Sequence, residues 1–307
     1  MSKKVLVIQY SQTGQLSSVL ERVIAPLCEA GDVEVTVENL VPVTPFPFPW
    51  GFFKFFDAFP ETVYADVPPI QPLKADVRQR YDLVILGYQA WFLSPSMPVT
   101  AFLKSPEAAA LLKDTPVVTV VACRDMWLMA QEQIRGYLSG LGARLVGHVA
   151  LVDEAGTVGS FLATPIWVVF GSKGPHLGGL IPRAGVKPEQ IQACTRFGDG
   201  ILERLRSGSA LDETLLRGLQ AVNVNEGLIS SERAIRRGFK VWGGLLRSLG
   251  PRGSWRRQPF LLVYFCWLVV AIIVLVPAGL ILKSLLKPLL RKKIAEQKAY
   301  FEMPSGF

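Results

Sequence analysis

The stretch Lys4–Leu16, KVLVIQYSQTGQL, decides the fold. Its first part, Lys4–Tyr10, is an apolar, β-branched run that reads as a strand buried on both faces. Such strands occur in parallel sheets covered by helices. Its last part opens a helix, because Leu16, Leu20, Val23, Ile24 and Leu27 recur at helical spacing over Gly14–Ala30. Between them lie Ser11, Gln12, Thr13 and Gly14. Small hydroxyls and a glycine at a strand-to-helix junction suit an anion, since the first amides of a helix are unpaired and the dipole favours negative charge. Ser11 and Thr13 add hydroxyl donors, and Gly14 lets the backbone approach closely. The same residues also make an ordinary helix N-cap. This loop alone leaves both readings open.

Outward from it, Val33–Leu40, Tyr81–Gly87, Pro116–Cys123 and Arg144–Val152 read as four more strands. Met126–Leu141 and Pro188–Arg206 read as helices, the latter with Pro near its start and Gly208 after it. Five β-runs separated by helical segments predict an α/β fold: a five-stranded parallel sheet with helices on both faces. Right-handed crossovers leave few topologies, and ligands of such sheets bind at the carboxyl ends of the strands. Two further loops lie there. Tyr81–Gly87 leads into Tyr88–Met97, with Gln89, Ala90, Trp91 and Phe92. Pro116–Cys123 leads into Cys123, Arg124, Asp125, Met126 and Trp127. Trp91 and then Phe92 are the candidates for stacking on a flat ligand, against the alternative of a core aromatic. Arg124 is a candidate cation for an anionic ligand edge, against a helix-start pair with Asp125. Cys123 reads as packing.

The residues Ser11, Thr13 and Gly14 match the hydroxyl-x-Thr-Gly fingerprint of the flavodoxin-like family, which this chain resembles over Lys3–Gly208. The resemblance implies FMN. Its phosphate would lie on Ser11, Gln12, Thr13, Gly14, Gln15 and Leu16. Its ring would lie between Gln89, Ala90, Trp91 and Phe92 on one side and Cys123, Arg124, Met126 and Trp127 on the other. Leu16 stands where the family usually has a second Thr, and the family's Gly-Asp and later Tyr are absent from the third loop. No G-x-G-x-x-G follows the first strand, so a dinucleotide fold is disfavoured.

Two inserts depart from a plain member of that family. Pro42–Pro72 holds nine of the chain's 31 aromatic residues and eight prolines, with room for one brief helix at Phe52–Phe59. So aromatic a loop must bury itself in a core, against a hydrophobic ligand or in lipid. Gly156–Val186 is a long apolar insert of the kind that carries function. It contains His176, a weak catalytic candidate in a Gly-rich turn. His148, inside the fifth strand, reads as structural.

Charge is concentrated at the end. Residues 1–231 hold 19 Lys and Arg against 22 Asp and Glu, a net of −3; residues 232–307 hold 14 against 3, a net of +11. A nucleic-acid face would make the body basic, so no nucleic-acid partner is expected. The basic part flanks Phe260–Leu282, 23 residues without a charge and long enough as a helix for a bilayer core. Tyr264 and Trp267 suit an interface, and Pro277 and Gly279 a kink. Ser230–Leu249 places Ile235, Phe239, Trp242, Leu245, Leu246 and Leu249 on one side, the pattern of a helix lying on a membrane. Upstream cations (Lys240, Arg247, Arg252, Arg256, Arg257) nearly balance those downstream (Lys283, Lys287, Arg291, Lys292, Lys293, Lys298), so the segment either spans once or keeps both ends on one side. The N-terminus lacks a signal-peptide pattern, which predicts a cytoplasmic body anchored to the membrane. The expected organisation is thus a domain over 1–208, a basic helical segment over 209–257, a hydrophobic segment over 258–286 and a basic tail over 287–307, mobile from Met303. Four scattered cysteines offer neither a disulfide framework nor metal spacing.

Tyr10–Gly14, Cys123–Trp127 and Pro304-Ser305-Gly306, with the hydrophobic C-terminal segment, resemble the proteins labelled dialkylresorcinol condensing enzymes. That likeness implies flavin-dependent oxidation of a ring built from two acyl chains. The expected activity is an FMN-dependent oxidoreductase on a lipophilic ring, quinone- or cyclohexanedione-like, drawing electrons from NAD(P)H or a redox protein. A membrane-tethered electron carrier and a flavin-free scaffold are the alternatives. The weakly acidic body argues against the carrier, since single-electron carriers steer partners with strong charge. The missing Thr at Leu16 keeps the scaffold alternative open.

Overall fold

The structure is a computed structural model that describes residues 2–153 and 156–304; of residues 156–158, 160, 161, 272, 275–277 and 280–290 only the backbone is described. Its centre is a five-stranded parallel sheet of β1 (Lys3–Gln9), β2 (Val33–Asn39), β3 (Leu83–Tyr88), β6 (Pro116–Cys123) and β7 (Arg144–Val152), in the order β2-β1-β3-β6-β7. That is the doubly wound order of flavodoxin-like folds, with the strand order reversing between β1 and β3. A hairpin of β4 (Ala90–Trp91) and β5 (Ser94–Pro95) follows β3 directly.

One face of the sheet is covered by α1 (Gln15–Glu29) and α9 (Thr195–Ser207). Leu16, Val19, Leu20, Val23, Ile24 and Leu27 form the buried stripe of α1. Gly198 lets α9 approach it, since a Cβ there would lie 2.1 Å from the Val23 carbonyl. The expected single helix Pro188–Arg206 is two, α8 (Pro188–Gln192) and α9. At the break, the Arg196 guanidinium takes the Ala193 carbonyl. Leu211, Leu215 and Leu216 pack into the same layer.

The other face is covered by α4 (Met97–Leu103), α5 (Pro106–Leu112) and α6 (Leu128–Gly140). All seven residues of α4 are buried, so it has no amphipathic period from which it could be read. The proline-rich insert forms two short helices, α2 (Phe52–Asp57) and α3 (Phe59–Tyr64), where one was expected. Phe46, Trp50, Phe56 and Phe59 are buried, so the insert is mainly core. The second insert also departs from a loop: it begins with α7 (Gly156–Phe170), uniformly apolar and hence without helical periodicity.

The C-terminal part folds back onto this face. The helix expected over Ser230–Leu249 is α10 (Glu226–Ser248), but its apolar side does not lie free for a membrane. Phe239 and Leu246 are buried, and Phe59 lies edge-on to Phe239 at 5.2 Å. The aromatic insert supplies the partner that the pattern appeared to lack. The apolar run is divided among α11 (Gln258–Val270), a π-helical stretch Ala271–Leu275 and the start of α12 (Val276–Glu302). Among the described residues no helix is long and apolar enough to cross a membrane. Several side chains of the run, at 272, 275–277 and 280–282, lie outside the described ones.

Much of the basic segment is engaged within the protein. Arg257, 1% exposed, donates to Asp57 and to both carboxylate oxygens of Glu61, at 2.8–3.3 Å. Arg247 pairs with Asp66 and lies over the Tyr64 ring. The tail is also held at Met303 and Pro304, because Arg135 of α6 donates to the carbonyls of Tyr300, Met303 and Pro304. Residues 305–307 lie outside the described chain.

Removing one partner of a buried, hydrogen-bonded ion pair leaves the other charge uncompensated, which costs about 3–5 kcal/mol. Arg257→Ala is therefore expected to destabilise the protein by about 3 kcal/mol in denaturant unfolding. Arg257→Lys should recover only part of this, because an ammonium cannot bridge both oxygens of Glu61 as the guanidinium fork does.

Candidate functional site

The ladders β1–β3, β3–β6 and β6–β7 end nearly level, with Gln9 beside Gly87, Tyr88 beside Val121 and Cys123 beside Val152. The loops beyond them surround one cleft of about 280 Å³, just under the usual range of small-molecule sites. Gln12, Thr13 and Gln15 enter it from the first loop, Gln89–Leu93 from the second, and Cys123, Arg124 and Met126 from the third. Asp153, directly after β7, completes the strand-end side.

In the first loop, Gly14 adopts φ +78° as the N-cap of α1 and makes no side-chain cap bond. The first intrahelical bond is Ser18 N–H to the Gly14 carbonyl. The amides of Gln15, Leu16 and Ser17 thus precede the helical ladder, and Ser17 is met by Ser11 Oγ at 3.4 Å. A side chain at Gly14 would touch nothing within 4 Å, so the turn opens on free space. The Leu16 side chain is fully buried in the α1 core, and only its backbone belongs to the turn. Gln12 is not a free ligand group. Its amide donates to Gln89 Oε1 at 3.1 Å, its Nε2 donates to the Pro47 carbonyl at 2.7 Å, and its Oε1 accepts from Tyr10 at 2.6 Å. Gln12 therefore ties the first loop to the second and to the aromatic insert.

The second loop is a tight hairpin turn whose central residues, Phe92 and Leu93, have φ of 49° and 59°. Such turns normally take Gly or Asn there, since the left-handed region costs roughly 1–2 kcal/mol per residue with a Cβ. Packing holds them: Phe92 lies between Phe55 and Phe59 at 5.0 and 5.3 Å, and Leu93 is buried. Trp91 does not stand alone. It meets Tyr10, Phe46 and Trp50 edge-on at 4.8–5.8 Å, forming an aromatic wall that reaches the cleft. Among the described residues, the buried Trp50 Nε1 in that wall has no hydrogen-bond partner.

In the third loop, burial lowers the Arg124 guanidinium to about 10, so it remains a cation at neutral pH. Cys123 is pushed well up by burial and is no thiolate. Trp127 points away from the cleft: it is 2% exposed and lies 4.9 Å from the His148 ring. Burial takes His148 down to about 3, so it is neutral, with Nδ1 2.8 Å from Thr119 Oγ1. His176 is also outside the cleft lining. It is part-exposed, its backbone bridges to Ile181, and its Nε2 lies 3.4 Å from the Ser172 carbonyl. The Gly-rich turn folds on itself there.

The rest of the cleft comes from residues that the strand-end rule does not reach. Trp50 and Phe55 belong to the first insert, while Thr164, Trp167 and Val168 of α7 belong to the second. Gly185, at φ +102°, donates to Asp153 Oδ2 at 2.8 Å, and the next amide, Val186, donates to Gln15 Oε1 at 3.1 Å. This strap joins the loops after β1 and β7. Ile235 and Phe239 of α10 and Leu268 of α11 close the remaining side. Asp153 was visible as the residue after the fifth strand. Glu232 was visible only as the one acid of the basic stretch Ser230–Leu249.

Glu232 is fully buried and accepts from the Met129 amide at 2.9 Å and, more weakly, from Leu128 at 3.4 Å. It caps α6, whose own N-cap residue, Trp127, offers no side-chain cap. Burial raises its carboxyl to about 8, although these two amides pull it down. Among the described residues no cluster of His, Cys, Asp and Glu could hold a metal.

No protein-family model matches the chain, and no curated protein matches it. Among solved structures, it is similar to a flavoprotein in complex with FMN from Lactobacillus acidophilus NCFM. The identity is 18% over 49% of this chain and 93% of that one, with a TM-score of 0.39. It is also similar to a flavodoxin from the domain Archaea (14% identity, 66% of this chain and 99% of that one, TM-score 0.37). A further likeness is to oxidised flavodoxin 1 from Bacillus cereus (15%, 64% and 95%, TM-score 0.35).

A carboxyl raised from 4.5 to about 8 binds its proton more tightly in the folded state. Its stabilising contribution is complete below the unfolded value and is lost as pH rises through about 8. Denaturation midpoints should therefore fall as pH rises from about 4.5 to about 8 and level off above it, and Glu232→Gln should flatten that fall. A variant that keeps the same slope would show that another group carries it.

Proposed function

We propose that the cleft holds FMN and that the protein uses it to oxidise or reduce a lipophilic ring compound at a membrane. The observation that carries the reading is the convergence of three strand-end loops on one apolar cleft, beginning with an uncapped, left-handed Gly14 turn. The residues fit the group. The amides of Gln15 and Leu16 precede the helical ladder at the start of α1, where the helix dipole favours a phosphate, and Thr13 and Gln15 line the cleft. Arg124 favours negative charge on whatever sits at the third loop. The Trp50 indole N–H in the aromatic wall is a donor without a partner among the described residues.

When bound, the flavin supplies transfer of a hydride or of single electrons to an adjacent ring. The chain's own contribution is positioning and exclusion of water. Trp91 and Phe92 are fixed by aromatic contacts, and Trp167, Phe239 and Leu268 roof the space with apolar surface. Such a lining selects flat, weakly polar substrates, for which a quinone, cyclohexanedione or alkylresorcinol ring is the proposed class. Leu268 belongs to the hydrophobic C-terminal segment, so the site borders the part of the chain proposed to meet lipid. The electrons would come from NAD(P)H or a reduced redox protein. No Ser/His/Asp set lines the cleft to suggest hydrolysis among the described residues.

Purification in detergent tests the reading. The expected result is a bound-flavin absorbance spectrum, or quenching of FMN fluorescence on titration. Gly14→Val should weaken FMN binding about tenfold or more, because a β-branched residue at φ +78° strains the turn by roughly 1–2 kcal/mol. A colourless protein that leaves FMN fluorescence unchanged would sink the assignment.

A further inference from the structure

The hydrophobic C-terminal segment is fastened to the body at both ends. At its start, Arg257 is locked to Asp57 and Glu61, and the Tyr264 ring stacks on Phe59 at 4.3 Å and 11°. At its far end, Lys298 pairs with Glu226 at 3.5 Å, Phe301 is fully buried, and Arg135 donates to the carbonyls of Tyr300, Met303 and Pro304. The same helix, α10, carries one anchor from each end. Trp242 meets Tyr264 at 5.8 Å, and Glu226 meets Lys298. Along α10 these anchors are about 24 Å apart, whereas a straight helix from Tyr264 to Lys298 would run about 51 Å. The path must double back, and the π-helical stretch Ala271–Leu275, followed by Pro277, is where the regular ladder is interrupted.

A spanning helix would deliver its far end across a hydrocarbon core of roughly 30 Å, but this one returns to the body it left. Away from the body, Leu262, Val263, Val270, Ile273 and Val274 are between 47% and 66% exposed. Exposed cations flank them: Arg256, and Arg291, Lys292 and Lys293 beyond the bend. An apolar ridge with a cationic margin is complementary to anionic headgroups over acyl chains.

We propose that residues 260–293 form a re-entrant element that dips into one leaflet of an anionic bilayer and keeps both ends on the side of the α/β body. The proposal deepens the membrane side of the function given above and needs no flavin.

The test uses the full chain, reconstituted in vesicles of phosphatidylglycerol and phosphatidylcholine. In a background with Cys266→Ser, the exposed Cys28 marks the body, and Lys293→Cys marks the far flank. A membrane-impermeant maleimide is applied before and after detergent. Equal fractions of both sites should label before detergent. Complementary fractions, with Lys293→Cys reached only where Cys28 is not, would overturn the proposal in favour of a span. In parallel, a fluorophore on the native Cys266 should be quenched by lipid-borne quenchers, and flotation should weaken when phosphatidylglycerol is omitted. Protein that fails to float would overturn the proposal, and a dimer cross-linked through Cys266 would show that a second copy covers the ridge instead of lipid. Flavin absorbance read on the same samples reports on the redox reading separately.

Discussion

The level carboxyl edge of the sheet is the constraint on which the rest depends. Parallel pairing of β1 with β3, β3 with β6 and β6 with β7 brings four chain exits to one rim. Because the winding reverses between β1 and β3, their loops diverge and leave a crevice instead of closing over each other. Loss of that register by one residue would turn every buried valine and isoleucine of these strands to the opposite face. The cleft is thus a by-product of the same hydrophobic pattern that builds the core.

Around that crevice, the protein substitutes packing for the usual local devices. A left-handed turn without glycine is held by Phe55 and Phe59 instead of by its own sequence. The start of α6 is capped by Glu232 from a helix about a hundred residues later, not by a neighbouring Ser or Asp. The first loop is tied down through Gln12 to carbonyls of the proline-rich insert. Each device transfers responsibility for the site from short range to long range. Truncating either insert would therefore disturb loops that it does not adjoin in sequence.

That transfer explains what could be read in advance. The strands were legible because five apolar β-branched runs have no competing period, and the loops after β1, β3 and β6 followed from the strand-end rule. Thr13, Gln15, Trp91, Phe92 and Arg124 accordingly fall together at the cleft. Trp127 was misplaced because a strand-end loop does not reveal which way its last aromatic turns, and His148 was waiting beneath it. His176 was chosen for its chemistry, but no pattern linked its turn to a strand exit. The helices α4 and α7 were hidden by uniform burial or uniform hydrophobicity, which erases the periodicity that marks a helix. For α10 the periodicity was right, but the surface it faces was not. A lipid face and a face against Phe59 have the same sequence signature.

The grip of Arg135 on the chain's distant end has a consequence for biosynthesis. Its guanidinium is nearly buried, and its partners are carbonyls 165 to 169 residues downstream. While the ribosome makes that stretch, α6 presents an unmatched cation on the surface that α10 and α12 will later cover. The sheet and its first layer can condense early, but that side stays wet until translation has passed Pro304. Closure of this face then waits for that stretch to leave the ribosome, and the incomplete intermediate exposes Phe59 and its neighbours. A holding chaperone would have most to bind at that stage.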